Sequence, residues 1–238
     1  MTKSLKILSL YPREMNIYGD HGNLLCLTRR AQWRGIKVEC ARHEIGDELD
    51  ESADIILGGG GQDSGQNSVA DDISKNAAKL KKLAADGVPM LLICGMYQLF
   101  GEYFMTADGQ KIPGIGIFDL TTRAGSDRLI GNITIETEFG KIVGYENHSG
   151  LTRLGQTQQP FGKVIKGAGN NGRNRTEGAR VKNVFGSYLH GPILPKNPRL
   201  ADEILRLALQ RKYGDGDLAP LDDSLSGKAR QIAMRRPR

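Results

Sequence analysis

The sequence predicts an α/β protein with a flavodoxin- or Rossmann-like parallel sheet that carries helices on both faces. Short apolar strand segments alternate with amphipathic helical segments through the first half of the chain, a pattern typical of parallel sheets. The 31 glycines are about twice the usual share, and many follow predicted strands, as in the run at 58–61. The segment PMLLICGMYQLFGE (89–102) passes from a buried strand into a helix through Cys94 and Gly95.

The first half of the chain contains four predicted strands and two predicted helices. Residues 23–35 carry apolar positions at helical spacing and end at Gly35, a helix stop. A longer helical pattern covers 69–87 and ends at Gly87. The four strands are predicted at 5–10, 36–41, 53–61 and 88–93.

The second half changes character and predicts a smaller, more antiparallel region. Segments with β-branched residues around glycines occur at 111–123, 132–150 and 161–167. A strand pattern within 181–191 leads into the loop that carries His190, and an amphipathic helix follows at 197–214. We therefore expect one domain over residues 1–213 and a polar, basic tail over 214–238, as a short helix or a mobile end.

Composition and charge exclude several classes of function. The net charge is +6, but much of the excess lies at the C-terminus, and no aromatic residues interleave with a basic stripe. We therefore expect no nucleic-acid partner. The three cysteines form no CxxC pair, which fits a reducing cytoplasm. No signal peptide is recognisable, and no apolar run approaches the ~20 residues that a membrane span requires.

The abrupt end of the strand at Cys94 is the feature that most directly suggests chemistry. Ligands bind beyond the carboxyl ends of strands in open parallel sheets, and a helix N-terminus favours a thiolate. The N–H of Gly95 could face an oxyanion beside such a thiol, as in a strand–nucleophile–helix turn. A buried structural cysteine explains the same local pattern equally well.

A thiol nucleophile needs a base, and three of the four histidines lie in loops at predicted strand ends, whereas His43 also follows a strand but has no supporting motif. His190 lies in GSYLHGP, His148 in GYENHSG and His21 in the first such loop. A single histidine in such a place is usually structural. The glycine run in LGGGGQD could leave backbone N–H groups free for an oxyanion, or it could be a flexible turn.

Six segments, taken in order, resemble the class I (triad) glutamine amidotransferases. The branch related to cobyric acid synthase is the most similar, and within it the glutaminase subunits that work with a Mur-ligase-like partner. The segments are NIYGDHGN (16–23), ILGGGGQD (56–63), LLICGMYQ (91–98), IVGYENHSG (142–150), GAGNN (167–171) and GSYLHGPILPKNP (186–198). The resemblance implies the class I glutamine amidotransferase fold for residues 1–213.

The resemblance also implies roles for particular residues. Cys94 would be the nucleophile that attacks the side-chain amide of glutamine, and His190 would be the general base and then the acid. The guanidinium of Arg128 would bind the α-carboxylate of the substrate. The backbone N–H groups that would hold the oxyanion belong to Gly59, Gly60 and Gly95.

Departures from the family pattern leave the orientation of His190 open. Most class I members carry Glu two residues after the histidine, where this chain has Pro192, a departure that is normal for this branch. The candidates for a third catalytic group are Glu146, Asp20 or a carboxylate of the partner. Further residues expected at the site are Gln98 and His148. The chain also has Met96 and Leu92 where many relatives have glycine.

The implied reaction is a two-step acyl transfer that yields glutamate and ammonia without a metal or cofactor in this chain. Ammonia would pass to a MurT-like Mur-ligase subunit, which uses ATP to activate a carboxylate. The implied product is the amidated α-carboxyl of D-glutamate in the lipid II stem peptide, a step of peptidoglycan synthesis. The expected location is the cytoplasm, at the inner face of the membrane, in a heterodimer.

Three other functions stay open from the sequence. The chain could serve another acceptor, such as a cobyrinic acid, although relatives of that kind usually carry a fused N-terminal ATP-using domain that we expect to be absent here. It could be a catalytically silent docking subunit in which Cys94 is structural. It could also be a cysteine peptidase or hydrolase on a similar fold.

Overall fold

The computed structural model describes residues 2–237. Its strands are β1 (Ser4–Leu10), β2 (Lys37–His43), β3 (Ile55–Gly58), β4 (Met90–Ile93), β5 (Tyr103–Met105), β6 (Lys111–Pro113), β7 (Leu120–Thr137), β8 (Gly140–Leu154), β9 (Gly162–Lys166), β10 (Thr176–Glu177), β11 (Ala179–Val181) and β12 (Val184–Ser187). Its helices are α1 (His21–Gln32), α2 (Asp63–Lys75), α3 (Ala77–Ala85), α4 (Gly95–Leu99), α5 (Pro198–Tyr213) and α6 (Ser224–Arg235). A short 3-10 helix covers Leu194–Lys196.

The first sheet has the strand order β11-β12-β4-β3-β1-β2, and every neighbouring pair is parallel except β11–β12. The chain moves from β1 through α1 to β2 at one edge, and from β3 through α2 and α3 to β4 in the opposite direction. Because such crossovers are right-handed, α1 lies on one face and α2 and α3 lie on the other. The predicted parallel sheet with helices on both faces is confirmed.

A second sheet follows the order β10-β9-β7-β5-β6, with β8 paired to β7. Its main element is the antiparallel hairpin of β7 and β8, which have 18 and 15 residues. The predicted antiparallel character is confirmed apart from the parallel β5–β7 pair. The second half was expected to form a region smaller than the parallel sheet. By number of strands this expectation is wrong, since both sheets have six strands.

The prediction of one helix over 69–87 is wrong. The structure has two helices in this region, of which the first begins at Asp63, and Asn76 separates them. Asn76 has φ −89° and ψ 0°, and its Nδ2 donates a hydrogen bond to the carbonyl of Asp72 at 3.0 Å. An asparagine side chain that bonds the preceding turn competes with the helical backbone. The helix after Asn197 ends as predicted, since Gly214 adopts a left-handed conformation with φ +71°.

The tail after Gly214 packs against the rest of the protein and ends in α6. The guanidinium of Arg30, which is buried, pairs with Asp202 on α5 at 2.7 Å and with Asp223 in the tail at 2.6 Å. Of the two expected states of the tail, the structure has the helix. The domain boundary at residue 213 stays a prediction. Between residues 2 and 237, no helix has the length and apolar character needed to cross a bilayer.

Candidate functional site

The sheet brings four loops together beyond the carboxyl ends of β1, β3, β4 and β12. Strand order reverses between β1 and β3, which is where open α/β sheets form a crevice for ligands. Asp20 comes from the loop after β1, Gly60 from the loop after β3, Cys94 from the end of β4 and His190 from the loop after β12. These four residues are far apart in sequence and meet at one edge.

Cys94 occupies a strained turn between β4 and α4. Its backbone has φ +52° and ψ −105°, a conformation that non-glycine residues rarely adopt. Its N–H donates to the carbonyl of Ser187 on the neighbouring strand at 2.8 Å, and its own carbonyl accepts from the N–H of Gln98 at 3.0 Å. The neighbouring elements therefore hold the strain in place. This is the geometry of a strand–nucleophile–helix turn.

His190 lies beside this turn with its backbone fixed on β8. Its N–H donates to the carbonyl of Tyr145 at 2.8 Å, and its carbonyl accepts from the N–H of Tyr145 at 3.2 Å. Burial lowers the pKa of His190, but the Cys94 thiolate and the Asp20 carboxylate outweigh burial and raise this pKa to about 9. The imidazole therefore stays protonated at neutral pH when the thiol is ionised.

Asp20 is a carboxylate paired with His190. Oδ2 of Asp20 lies 3.8 Å from Nδ1 of His190, an ion-pair distance longer than a hydrogen bond, and accepts from the N–H of Gly60 at 2.7 Å. The oxygens of Glu146 accept from the N–H groups of Ala168 and Gly169, at 2.7 and 2.8 Å. Glu146 therefore anchors the turn of the GAGNN segment, and the sequence could not distinguish the two acids.

The glycine loop differs in detail from the predicted set of oxyanion donors. The N–H of Gly60 is already donated to Asp20, so it does not point into the cavity. Gly59 abuts Met15 and Asp20, where an added Cβ would lie 2.1 Å from the carbonyl oxygen of Met15. Gly61, which the sequence did not single out, has its nitrogen 3.2 Å from the position of a Cβ on Gly95. Gly61 is therefore a neighbour of Gly95, and it lines the cavity beside Cys94.

A cavity of about 340 Å³ opens in front of Cys94, within the size range of small-molecule sites. Its walls include Tyr18, Gly61, Cys94, Gln98, Arg128 and residues 147–150. The predicted residues Gln98, Arg128 and His148 are thus brought together with the thiol. Nε of Arg128 donates to Oδ1 of Asn147 at 3.1 Å, and Nη2 donates to the carbonyl of Asn147 at 3.3 Å.

Gln98 and His148, which the sequence predicted at the site, belong to a buried polar network beside the cavity. Nε2 of Gln98 donates to the hydroxyl of Tyr188 at 2.9 Å, and Oε1 of Gln98 accepts from Gln66 at 2.8 Å. The ring of His148 stacks on Tyr188 with 3.6 Å between ring centroids. Gln66 and Tyr188 were missed by the sequence, although Tyr188 precedes His190 by two residues within a segment that was recognised.

Glu177 is a further buried acid, and the sequence analysis did not single it out. It accepts hydrogen bonds from the N–H of Tyr188 at 2.6 Å and from the hydroxyl of Ser187. Burial raises the pKa of Glu177 to about 8. It thereby supports the backbone that leads to His190. The described residues hold no group of three or more His, Cys, Asp or Glu side chains that could bind a metal ion, and the absence of a cofactor stays a prediction.

Comparison with known proteins places this geometry in a family. Residues 6–198 match the CobB/CobQ-like glutamine amidotransferase domain. The lipid II isoglutaminyl synthase (glutamine-hydrolyzing) subunit GatD of Staphylococcus aureus is 38% identical over 98% of this chain and 96% of that protein. The GatD subunit of Streptococcus pneumoniae is 41% identical over 93% of this chain and 87% of that protein.

Solved structures share the fold at low sequence identity. PurLQS from Thermotoga maritima has a TM-score of 0.58 at 17% identity, over 89% of this chain and 97% of that chain. The crystal structure of a glutamine amidotransferase also has a TM-score of 0.58, at 14% identity, over 84% of this chain and 98% of that chain. These similarities support the fold alone.

Proposed function

Because the chain belongs to the CobB/CobQ-like glutamine amidotransferase family, we propose that it is a glutaminase subunit that hydrolyses L-glutamine to glutamate and ammonia through a thioester on Cys94. The observation that carries this proposal is the strained turn of Cys94, with His190 and Asp20 beside it and a cavity of about 340 Å³ in front of it. Such a turn exposes a nucleophile to a ligand beyond the end of the strand.

In the first step, the thiolate of Cys94 attacks the side-chain amide carbon of glutamine, and a sulfur–carbon bond forms. In this proposal, the N–H groups of Gly95 and of the neighbouring Gly61 stabilise the oxyanion of the tetrahedral intermediate. The carbon–nitrogen bond then breaks, and His190 donates its proton to the leaving ammonia. In the second step, His190 takes a proton from water, the resulting hydroxide attacks the thioester, and glutamate and the thiolate are released.

In this proposal, Arg128, which lines the cavity, binds the α-carboxylate of glutamine. Its guanidinium donates two hydrogen bonds to Asn147, and a planar guanidinium suits a carboxylate. Gln98 also lines the cavity and is held through Tyr188 and Gln66, so its amide is fixed before substrate binds. These contacts support recognition of a small amino acid rather than of a peptide chain.

We extend the proposal to the partner and the acceptor on the basis of the two GatD relatives. This chain covers 96% and 87% of those proteins, so the similarity extends over nearly the whole of each. Ammonia would pass to a MurT-like Mur-ligase subunit that uses ATP to amidate the D-glutamate α-carboxyl of the lipid II stem peptide. The heterodimer would act in the cytoplasm, at the inner face of the membrane. Another acceptor, such as a cobyrinic acid, is the alternative within the family.

The proposal is tested by measuring glutamate and ammonia release from L-glutamine, with the chain alone and with a co-expressed Mur-ligase-like partner. A glutamine-analogue electrophile, 6-diazo-5-oxo-L-norleucine, should add once, at Cys94, and L-glutamine should protect against the addition. Cys40→Ala, which removes an exposed thiol, is the matched control and should still be labelled. We expect the partner to raise the turnover rate.

A catalytically silent docking subunit would give a different set of results. The folded chain would release no ammonia, either alone or in an intact complex, and the electrophile would modify Cys94 no faster than the other cysteines. A hydrolase for peptides would cleave glutaminyl peptides and ignore free glutamine. Either pattern would rule out the proposed activity.

The pH dependence of glutaminase activity follows from the ion pair at His190. The pKa of His190 is raised from 6.5 to about 9, so the imidazolium persists at neutral pH and is lost as pH rises through about 9. We expect activity to fall on the basic side near that pH. Asp20→Asn removes a negative charge that favours the imidazolium. The basic limb of the pH profile, where activity falls as pH rises, should therefore lie about one pH unit or more lower than in the wild type.

The measurement is kcat/KM for glutamine from pH 6 to 10 in both proteins. Asp119→Asn is the matched control, because Asp119 is an aspartate on another loop, outside the cavity. This control should leave the profile unchanged. A basic limb at the same pH in Asp20→Asn and in the wild type would mean that Asp20 does not set the protonation of His190.

A further inference from the structure

We propose that Tyr18 is a positioning residue that covers His190 and holds Arg128 ready for the substrate. The inference rests on the proposed glutaminase reaction and adds a residue to it. Tyr18 lies in the loop between β1 and α1 and forms part of the cavity wall. It touches both residues through different parts of one side chain, so the two contacts can be separated by substitution.

The first contact is between the ring of Tyr18 and the ring of His190. The centroids are 4.3 Å apart and the planes are inclined at 54°. A cation within about 6 Å of an aromatic centroid is attracted by the electrons of the ring. Neither ring nitrogen of His190 has a hydrogen-bond partner among residues 2–237, so the imidazolium is stabilised by the charges of the Cys94 thiolate and Asp20 and by this ring.

The second contact is between the hydroxyl of Tyr18 and the guanidinium of Arg128. Nη2 of Arg128 donates to the hydroxyl oxygen at 3.4 Å, and the same nitrogen donates to the carbonyl of Asn147. Tyr18 and Asn147 therefore hold the guanidinium from two sides. Loss of the hydroxyl leaves Asn147 as the remaining partner, and the guanidinium gains freedom that substrate must remove on binding.

The loop that carries Tyr18 is fastened to Gly60 on both sides of the tyrosine. The N–H of Ile17 donates to the carbonyl of Gly60 at 3.0 Å, and the carboxylate of Asp20 accepts from the N–H of Gly60 at 2.7 Å. Gly19 between them adopts φ +73°, which lets the chain turn sharply after the tyrosine. The backbone thus sets the ring of Tyr18 over His190 before substrate arrives.

Two substitutions separate the two contacts. Tyr18→Phe keeps the ring and removes the hydroxyl, so we expect KM for glutamine to rise about 3- to 10-fold while the basic limb of the pH profile stays in place. Tyr18→Leu removes the ring as well, so the basic limb should also move down by about half a unit or more. Both are measured as kcat and KM for glutamine from pH 6 to 10.

Tyr103→Leu is the matched control, since this tyrosine lies on β5 and outside the cavity around Cys94. It should leave KM and the pH profile unchanged. A second readout is the rate of Cys94 alkylation by iodoacetamide across the same pH range, which does not require glutamine hydrolysis. Removal of the covering ring in Tyr18→Leu should raise that rate several-fold at pH 7, and Tyr18→Phe should leave it unchanged.

The outcomes distinguish this proposal from the proposed function. If the wild type hydrolyses glutamine and Tyr18→Leu keeps the wild-type KM, basic limb and alkylation rate, Tyr18 has no positioning role and the glutaminase proposal stands. If both Tyr18 variants lower the melting temperature and leave KM, the basic limb and the alkylation rate unchanged, Tyr18 has only a structural role. If the wild type is inactive, the glutaminase proposal fails, and the alkylation rates decide whether Tyr18 covers the Cys94–His190 pair.

Discussion

Replacing Cys94 is expected to abolish glutamine hydrolysis, and of the two smallest replacements glycine should leave the protein more stable than alanine. Cys94→Ala and Cys94→Gly should each lower kcat about 10³-fold or more, because no other group can form the thioester. Alanine is favoured over glycine inside a helix, but Cys94 precedes the first residue of α4. At Cys94, with φ +52°, glycine should make the protein about 1 kcal/mol more stable than alanine does.

The physical reason is that any side chain at Cys94 retains the backbone strain, whereas glycine relieves it. The strain is held by the hydrogen bonds of Cys94 to Ser187 and Gln98, which both variants preserve. The measurements are ammonia release and urea unfolding of the two variants. Cys40→Ala should match the wild type in activity. Activity of Cys94→Ala within tenfold of the wild type would eliminate the thioester mechanism, and a less stable glycine variant would eliminate the strain.

Gly60→Ala is expected to lower kcat/KM about 100-fold or more while the fold is retained. A Cβ on Gly60 would lie 2.9 Å from Cε1 of His190 and 3.3 Å from both Cβ of Cys94 and Oδ2 of Asp20. The loop and the imidazole must therefore move apart. A displacement of about 1 Å in a catalytic group can cost about 100-fold in rate. The site has no free volume at this point for even one methyl group.

The matched control is Gly227→Ala in α6, where no atom lies within 4 Å of the added methyl group. That variant should keep wild-type activity and gain up to about 1 kcal/mol of stability, because alanine favours a helix. Circular dichroism and the melting temperature establish that Gly60→Ala is folded. Wild-type kinetics in folded Gly60→Ala would show that the close packing of His190, Asp20 and Cys94 around Gly60 is not required.

The order of strands and helices in the first half could be predicted because its signals are local. Buried parallel strands such as β3 and β4 are short apolar runs, and helical spacing marks α1 and α5 over several turns. The break at Asn76 escaped prediction because it depends on a hydrogen bond of one side chain within an otherwise helical pattern.

The family resemblance extended the prediction from elements to residues. It singled out Arg128, Gln98 and His148, which line one cavity with Cys94 in the structure, and their roles in catalysis stay proposals. It left two carboxylates as candidates for the partner of His190. It also assigned oxyanion donors by position in the glycine run, where the N–H of Gly60 is donated to Asp20 instead.

By itself, the sequence determined the α/β class, the strand that ends at Cys94 and the family to which the chain belongs. Those features depend on residues that are neighbours along the chain, or on the order of short motifs. Only the tertiary structure decided that Asp20 pairs with His190, that Glu146 holds a turn and that Tyr18 joins His190 to Arg128. These contacts arise where strand order reverses between β1 and β3, and residues distant in sequence meet there for reasons that no local pattern contains.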